Sequence, residues 1–465
     1  MPLRRTTRVV ILLLGVSITS ALGYAAYVLY RLAPIGTAYA AKTLCSGVFI
    51  SRRAVDDIVR EDIRADNHPL LRAIDASVDR SRQSASASML GMARRDAIFR
   101  AGEGCALTLS SELPPRAAEA PAETDPPVSA DTFAADRDAS VDRARLQHAI
   151  DSAFSEPNPE KLQRTRAVVV LHRGNLLSER YAAGFSAQTP MLGWSMTKSV
   201  AAALIGILVR EGKLAPERNA LLPQWRSVGD PRSAITLDHL LRMVSGLRFR
   251  ESHSDPLEDA ALMLFASRDM SGYAIDKPLE VPPGTRWSYS SGTSNILAAI
   301  MRQAIGGSEA DYHAFPRRAL FEPIGMHSAV LESDAAGTFV TSSYMYASPH
   351  DWARFGQLLL QDGMWDGKRI LPAGWVKYMS TLTPQSTRRD FGAHLWVKVP
   401  PPFDSVAQHP PELPADAFHV VGHEGQFVTV IPSRRLVVVR LGLSRGPHVW
   451  DHGAFIAKVL TAIPQ

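Results

Sequence analysis

The segment that most constrains the fold is residues 9–30, VVILLLGVSITSALGYAAYVLY, which contains no charged side chain. As a helix rising ~1.5 Å per residue, a segment of this length spans a hydrocarbon layer of about 30 Å. Arg4, Arg5 and Arg8 precede it, and basic residues that flank a span stay on the cytoplasmic side. The sequence therefore predicts a cytoplasmic tail at 1–8, a transmembrane anchor, and a remainder on the periplasmic or extracellular side.

A cleaved signal peptide is the alternative interpretation of the same segment. Ala38-Tyr39-Ala40 resembles the small-residue motif at which signal peptides are cleaved. The apolar segment is longer than the ~7–15 residues usual for such a peptide, which favours an uncleaved anchor. Both interpretations export most of the chain.

Export determines the redox environment of the two cysteines of the sequence, Cys45 and Cys105. An oxidising compartment favours a disulfide between them. In the chain-entropy model, closing a loop of about 60 residues stabilises a fold by roughly 4 kcal/mol. Two buried free thiols are the alternative.

Composition and charge exclude several classes of protein. The chain has 465 residues, 46% of them hydrophobic, and a net charge of +5, so it can bury a large core. Its basic residues are scattered, and no nucleic-acid-binding face is predicted. No glycine pattern typical of a nucleotide cofactor lies between a strand and a helix. HSDPLED, with His253, Asp255, Glu258 and Asp259, lacks metal-ligand spacing. Neither a cofactor nor a metal is predicted.

Three regions follow the anchor. Residues 42–110 are predicted to form a small α+β unit, in which SGVFI, SASASMLGM and RDAIFRAG are strands and AVDDIVREDI is helical. Residues 111–139 are rich in Pro, Ala and acidic residues, which indicates a linker or a surface-wrapped extension. Residues 140–465 fit one larger domain. The sequence indicates neither a role for the small unit nor an oligomeric state.

The larger domain is predicted to be α+β. AVVVLHRG and NLLSERYAAGF form a hairpin with a Gly-Asn turn, and GQFVTVIPS and RLVVVRLGL are late strands. The middle, about 215–380, is mostly helical. This order predicts one antiparallel sheet flanked by helices, with an all-helical insertion between its first and last strands.

The first motif with chemical meaning is Ser195-Met196-Thr197-Lys198, which opens the apolar helix SMTKSVAAALIGILVREGKL. Lys198 lies one turn after Ser195 on the same side of the helix. Burial and the positive end of the helix dipole both favour a neutral amine, which can accept the serine proton. The alternative is that Ser195 only caps the helix and Lys198 reaches solvent.

Two further stretches contribute polar groups. In PPGTRWSYSSGTSN, Tyr289 lies with Ser290 and Ser291 before another apolar helix, where a phenol can relay a proton. In HVVGHEGQFVTVIPS, His423-Glu424-Gly425 enters a strand of edge type, and glycine lets a substrate backbone approach closely.

The three stretches resemble the serine β-lactamase and penicillin-binding-protein family, which carries Ser-x-x-Lys, then Tyr-x-Asn or Ser-x-Asn, then Lys/His-Thr/Ser-Gly. The flanking stretches ITLDHLLRMVSGL, PPGTRWSYSS and SSYMYASPHDWARFGQLLLQDGMWDG are similar to the class C branch that includes 6-aminohexanoate-dimer hydrolase. The resemblance covers about 140–465. It implies a β-lactamase/transpeptidase-like fold with the active site between the sheet and the helical part.

The resemblance also implies roles for residues. Ser195 is the nucleophile, Lys198 its proton partner, and Tyr289 a base and then an acid. His423 lines the site, and Ser291 stands where many members have Asn. The backbone N–H groups of Gln426, which follows Gly425, and of Ser195 are candidates for binding an oxyanion.

Glu424 departs from the family pattern, since β-lactam-binding members usually have Ser or Thr there. If it faces the cleft, repulsion between two anions at ~4 Å costs on the order of 1–4 kcal/mol, and acidic substrates such as β-lactams are disfavoured. If it faces away, this argument lapses.

The function predicted is a membrane-anchored serine hydrolase that cleaves an amide or ester of a small molecule. The alternatives are a cell-wall D,D-peptidase and an inactive ligand-binding domain of the same fold.

Overall fold

The structure is a computed structural model that describes most of the chain. The described residues are 2–65, 67–108, 133–219, 221–252, 255–400, 413–446 and 448–464. Most of the predicted linker, and His253 of the HSDPLED stretch, lie outside these residues.

The chain begins with a continuous helical rod. Helix α1 (Pro2–Tyr27) passes through a π-helical turn (Val28–Leu32) into α2 (Ala33–Phe49). Within the described residues, Thr7–Phe49 is the one helix apolar and long enough to cross a membrane, with a mean hydropathy of 2.1 in its most apolar window. Length and composition alone support this statement.

The N-terminal unit, residues 33–108, is a four-stranded antiparallel sheet covered by α2. A short helix α3 (Val55–Asp57) and a π-helical turn (Ile58–Arg64) lead into the sheet. Its strands, in spatial order, are β1 (Ile74–Asp79), β2 (Ser84–Met89), β3 (Met92–Arg100) and β4 (Gly104–Thr108). A disulfide joins Cys45 of α2 to Cys105 of β4, as the sequence predicts.

The predicted strand SGVFI is wrong, because Ser46–Phe49 belong to α2. A short apolar run does not distinguish a buried helix from a buried strand. Here the helix that begins at Ala33 continues, because Leu44 and Val48 are buried and α2 packs against all four strands. The unit therefore has one more helical segment and a different first strand than the sequence predicts.

The main domain, residues 133–464, contains the remaining elements. Its strands are β5 (Thr165–His172), β6 (Asn175–Tyr181), β7 (Met191–Leu192), β8 (Val330–Leu331), β9 (Met345–Ala347), β10 (Met364–Trp365), β11 (Lys368–Arg369), β12 (Phe418–Gly422), β13 (Gln426–Ile431) and β14 (Leu436–Gly442). Its helices are α4 (Arg143–Ala153), α5 (Met196–Arg210), α6 (Leu237–Leu241), α7 (Asp259–Ala266), α8 (Met270–Ile275), α9 (Ser291–Ile305), α10 (Glu309–Pro316), α11 (Pro349–Leu360), α12 (Trp375–Ser380) and α13 (His452–Leu460).

The central sheet has the order β12-β13-β14-β5-β6 with every neighbouring pair antiparallel. Helices α4 and α13 cover one face, and α11 packs on the other, where the helical insertion lies. The antiparallel sheet flanked by helices agrees with the predicted architecture, but the insertion is not all-helical, because the short strands β7–β11 lie between β6 and β12. The hairpin turn is Arg173-Gly174, both with positive φ, rather than the predicted Gly-Asn. Two such residues match the right-handed twist of paired strands.

Three buried contacts to Glu332 help to attach the N-terminal unit to the main domain. Lys42 of α2 pairs with Glu332, and Ser46 Oγ donates to the same carboxylate at 2.8 Å. The Cys105 backbone N–H donates to Glu332 at 2.7 Å. Because Glu332 is fully buried, its charge requires these partners, and the disulfide-linked unit provides all of them.

Candidate active site

Ser195 begins helix α5 directly after a residue with an uncommon backbone conformation. Trp194 has a φ of 48°, in the left-handed region, which costs a bulky residue of order 1–3 kcal/mol. Its indole Nε1 donates to Glu424 at 3.0 Å, and its ring meets that of His423 edge-on at 5.7 Å. These contacts hold the bend that places Ser195 at the N-terminus of the helix, where backbone N–H groups lack intrahelical partners.

The Lys198 amine lies beside this serine and is buried. Its Nζ is 2.9 Å from Ser195 Oγ, 3.0 Å from Ser291 Oγ and 2.8 Å from the Ser342 carbonyl oxygen. Burial lowers the pKa of Lys198 to about 8, although the Glu251 carboxylate acts in the opposite direction. Roughly a tenth of the Lys198 amine is therefore neutral at pH 7, far more than for a lysine with the ordinary pKa.

The direction of each hydrogen bond follows from the chemistry of its partner. The Ser342 carbonyl can only accept, and the Ser291 hydroxyl donates to Glu251 Oε1 at 2.7 Å, so its oxygen accepts from Lys198. A neutral amine that gives its two hydrogens to these oxygens has one lone pair left. That lone pair faces the Ser195 hydroxyl, and the arrangement suits transfer of the serine proton to Lys198.

Glu251 is the site residue that the sequence reasoning missed. Its carboxylate accepts from both the backbone N–H (2.5 Å) and the hydroxyl of Ser291. Its charge raises the pKa of Lys198 and of Tyr289. No motif marks it, because it is one carboxylate in a polar loop and its partner lies 40 positions further along the chain.

Tyr289 completes the group around Ser195. Its side chain hydrogen-bonds that of Ser195, and its ring lies with its centroid 5.0 Å from Lys198 Nζ. Trp396 and Phe391 pack against the ring at 5.8 and 6.0 Å. Burial, and then the Glu251 charge, raise the pKa of the Tyr289 hydroxyl far above its ordinary value. The Tyr289 hydroxyl is therefore protonated near neutral pH, and the base-then-acid role that the family resemblance implies stays a prediction.

A layer of polar residues below the site fixes its backbone. The Asn295 carboxamide oxygen accepts from the Ser342 N–H at 3.0 Å, which orients the carbonyl that Lys198 contacts. His394 Nδ1 lies 2.6 Å from the Leu241 carbonyl, and its Nε2 lies 2.9 Å from Ser294 Oγ. Because burial lowers the pKa of His394 to about 3, the ring is neutral and serves as support.

The third predicted stretch forms a turn. His423–Gly425 connects the edge strand β12 to β13, whereas the sequence places it on the strand itself. Glu424 and Gly425 have φ of 62° and 81°, and two consecutive left-handed residues reverse the chain. The motif still reaches the site, because the His423 ring contacts Trp194, which is next to Ser195.

Glu424 does not present a free negative charge to a substrate. Its carboxylate binds Arg445 Nε at 2.6 Å in addition to the Trp194 indole. Although burial raises the pKa of Glu424, the Arg445 charge holds it below its usual value. The positive φ turns this side chain toward the N-terminal unit, where Arg445 also binds the carbonyls of Asp62 and Ala65. The expected repulsion of acidic substrates therefore loses its basis.

Gln426 lies at the start of β13, opposite Gly422 of β12. Its side chain bridges to the backbone of Gly442, with bonds of 2.7 and 3.0 Å. This anchors the beginning of the strand. The role of the Gln426 and Ser195 backbone N–H groups in binding an oxyanion stays a prediction.

In the described part of the HSDPLED stretch, acidic groups bind protein partners. Asp259 pairs with Lys277 and accepts from Tyr273 at 2.8 Å, and Asp255 accepts from the Leu257 N–H. The residues that the structure describes contain no group of three or more His, Cys, Asp or Glu placed to hold a metal.

Comparisons with known proteins agree with this geometry. A model of the Beta-lactamase family matches residues 156–460. A 6-aminohexanoate-dimer hydrolase from Paenarthrobacter ureafaciens is 24% identical over 222 residues, which cover 46% of this chain and 56% of that protein. The matched region thus spans little more than half the length of that relative.

Two solved structures show the same fold. One is a Bacillus anthracis protein described as a 6-aminohexanoate-dimer hydrolase, with 24% identity, a TM-score of 0.55, and coverage of 72% of this chain and 88% of that one. The other is a penicillin-binding-protein homologue from Caulobacter crescentus, with 17% identity, a TM-score of 0.50, and coverage of 68% and 95%. The family match extends over most of the chain and includes all three stretches that surround Ser195. The chain therefore belongs to the beta-lactamase family, whose relatives found here include hydrolases.

Proposed function

We propose that this protein is a membrane-anchored serine hydrolase that cleaves an amide or ester bond of a small molecule through an acyl-enzyme on Ser195. The observation that carries the proposal is the buried Lys198 amine 2.9 Å from Ser195 Oγ, with its other two contacts made to oxygens that accept hydrogen. A capping serine and a solvent-seeking lysine would not need this arrangement.

The reaction follows from these positions. Ser195 Oγ adds to the substrate carbonyl carbon while its proton passes to Lys198. The bond to the leaving amine or alcohol then breaks, and that group takes a proton relayed by the Tyr289 hydroxyl. Water adds to the acyl carbon and gives its proton to the same groups, and the acid product leaves with Ser195 restored.

The substrate class rests on two observations. The curated relative is named as the hydrolase of an aminohexanoate dimer, which supports an amide or ester of a small molecule. The Arg445 ion pair removes the restriction on substrate charge that a free Glu424 would impose. Substrates with and without a carboxylate are therefore both compatible with this site.

The location of the protein is part of the proposal. The apolar helix within Thr7–Phe49 and the basic residues before it favour a single-pass anchor with the main domain outside the cytoplasm. A disulfide between Cys45 and Cys105 suits an oxidising compartment.

The test uses a fluorophosphonate probe and a p-nitrophenyl ester with wild type and Ser195→Ala. We expect labelling and turnover in the wild type and neither in the variant. Ser155→Ala, at an exposed serine after α4, is the matched control and should behave as wild type. Ester turnover that survives Ser195→Ala would contradict the proposal, and ligand binding without labelling of the wild type would favour the inactive domain.

A further inference from the structure

The hairpin between β2 and β3 carries exposed apolar side chains at its tip. Leu90 is 70% exposed and Met92 is 48% exposed. Among the described residues, the other large hydrophobic side chains with such exposure lie in the apolar helix, apart from Val228. Exposed apolar side chains grouped at one place on a soluble surface indicate a contact with a partner or a membrane.

The tip lies beside the end of the apolar helix. The π-helical turn Val28–Leu32 contacts β3, and Thr37 Oγ1 donates to the Ala93 carbonyl at 2.7 Å. Val28 is only 8% exposed, although Tyr27 before it is 43% exposed. The hairpin therefore reaches the level of the last residues of the uncharged segment 9–30.

The direction of the sheet supports the same placement. Helix α2 runs along β3 from Thr37, near Ala93, to Phe49, whose ring stacks on Phe99 at 5.5 Å. The apolar helix continues from the N-terminal end of α2, so it leaves the unit at the end where Leu90 lies. The opposite end of the sheet has the polar turn Arg80–Gln83.

Exposed basic side chains lie on the elements at this end of the sheet. Arg31 lies in the π-helical turn that contacts β3, Arg72 lies two residues before β1, and Arg94 lies near the start of β3. Arg94 is 68% exposed and pairs with Asp96. In a phospholipid leaflet, the apolar side chains of the tip would contact the acyl chains, and the arginines would contact the anionic headgroups.

We propose that the β2–β3 tip inserts Leu90 and Met92 into the leaflet on the side of the main domain, as a second membrane contact beside the helix. The occupant of this surface is a phospholipid bilayer. This inference rests on the proposed membrane span. Because the N-terminal unit is attached to the main domain through Glu332 and Arg445, a second contact sets the orientation of the active site relative to the membrane.

The experiment uses the full chain reconstituted in vesicles of phosphatidylcholine and phosphatidylglycerol, with one environment-sensitive fluorophore per variant. The labelled positions are Leu90→Cys at the tip, Arg82→Cys at the opposite end of the sheet, and Ser17→Cys within the helix. Both native sulfurs are fully buried and joined to each other, so the introduced thiol is the reactive one.

We expect blue-shifted emission at positions 17 and 90 and at least a twofold stronger quenching by spin-labelled acyl chains there than at position 82. Quenching at 17 without quenching at 90 would overturn the hairpin inference and leave the span intact. No quenching at 17 would overturn both the span and the inference that rests on it.

Leu90→Glu provides an independent readout. We expect weaker quenching from a fluorophore at Met92→Cys in this background, whereas hydrolysis of a soluble ester in detergent stays at the wild-type rate. Unchanged quenching at position 92 would contradict insertion of the tip, and the ester rate would show that the fold is intact.

Discussion

The chemistry proposed for the site depends on which hydrogen each polar atom can donate. Ser291 gives its hydroxyl hydrogen to Glu251 and can then only accept from Lys198. The Ser342 carbonyl also only accepts. These two constraints orient the Lys198 lone pair toward Ser195. Glu251 therefore influences the orientation of the Lys198 amine indirectly, through its hydrogen bond with Ser291.

Glu251 should influence the pH dependence of the reaction. Hydrolysis needs neutral Lys198, so kcat/KM should rise with pH through the pKa of Lys198, which is about 8. The Glu251 charge raises that pKa. Glu251→Gln removes the charge, and the midpoint of the pH profile should move to lower pH.

The control for that profile is Glu322→Gln, at an exposed acid on the surface, which should leave the midpoint in place. A midpoint that moves to higher pH in Glu251→Gln, or equally in both variants, would show that Glu251 does not act on Lys198.

Tyr289→Phe tests the relay. The ring packing against Trp396 and Phe391 is retained, so the fold should persist while the hydroxyl is lost. Loss of a positioned proton donor should lower kcat by ~10²–10⁴-fold, measured with an amide or ester under saturating conditions. A kcat within threefold of wild type, at an unchanged melting temperature, would remove Tyr289 from the mechanism.

At the scale of elements, a buried ion pair on the side of the N-terminal unit stabilises the β12–β13 turn. Glu424 and Arg445 are both nearly buried, and Arg445 also reaches the carbonyls of Glu61 and Asp62. The turn that carries His423 is thus fixed by contacts with the N-terminal unit. The unit for which the sequence indicates no role supports the geometry of the site.

Arg445→Met tests this coupling. It leaves a buried carboxylate without its cation, which typically costs about 3–5 kcal/mol, and we expect a lower free energy of unfolding together with reduced turnover. The double variant Arg445→Met/Glu424→Gln removes both charges and should recover much of the lost stability. Equal destabilisation of the single and double variants in denaturant titrations would show that the ion pair is not the relevant contact.

The difference between what could and could not be predicted follows from the range of the interactions. Ser195 and Lys198 are one helical turn apart, so their spacing alone indicates contact. The orientation of Glu424 depends on a left-handed backbone residue followed by Gly425, which residue types alone do not specify. The link from Glu251 to Ser291 joins two segments that meet only in the folded chain.

The secondary structure shows the same difference between elements set by local sequence and elements set by long-range contacts. The hairpin strands and the late strands were predictable because alternating or β-branched runs are bounded by turns. The helical state of SGVFI was not, because it depends on the sheet beneath α2, which includes β4, a strand that comes later in the chain.

At the scale of the whole molecule, the disulfide joins α2 to β4 within the N-terminal unit, and both of these elements contact Glu332 of the main domain. Cys45 lies on the helix that also carries Lys42 and Ser46, two of the partners of Glu332, and the Cys105 N–H is the third. Buried contacts therefore link α2 and the small sheet to the main domain, and in the proposed membrane arrangement they would keep the site at a fixed height above the bilayer.

Removing the disulfide should weaken this connection. We expect the double variant Cys45→Ala/Cys105→Ala to lose roughly 2–5 kcal/mol of stability, seen as a lower melting temperature, while ester hydrolysis persists at low temperature. Mild reductant should leave the wild type unchanged, because both sulfurs are buried. A melting temperature equal to that of the wild type would show that the disulfide does not stabilise the fold.

The most direct test of the account is the mass of the peptide that contains Ser195 after brief exposure to a slowly deacylating ester, compared between wild type and Lys198→Met. The account predicts an acyl adduct on Ser195 in the wild type and no detectable adduct in the variant. An adduct on another residue, or acylation of Ser195 at an equal rate without the lysine amine, would contradict it.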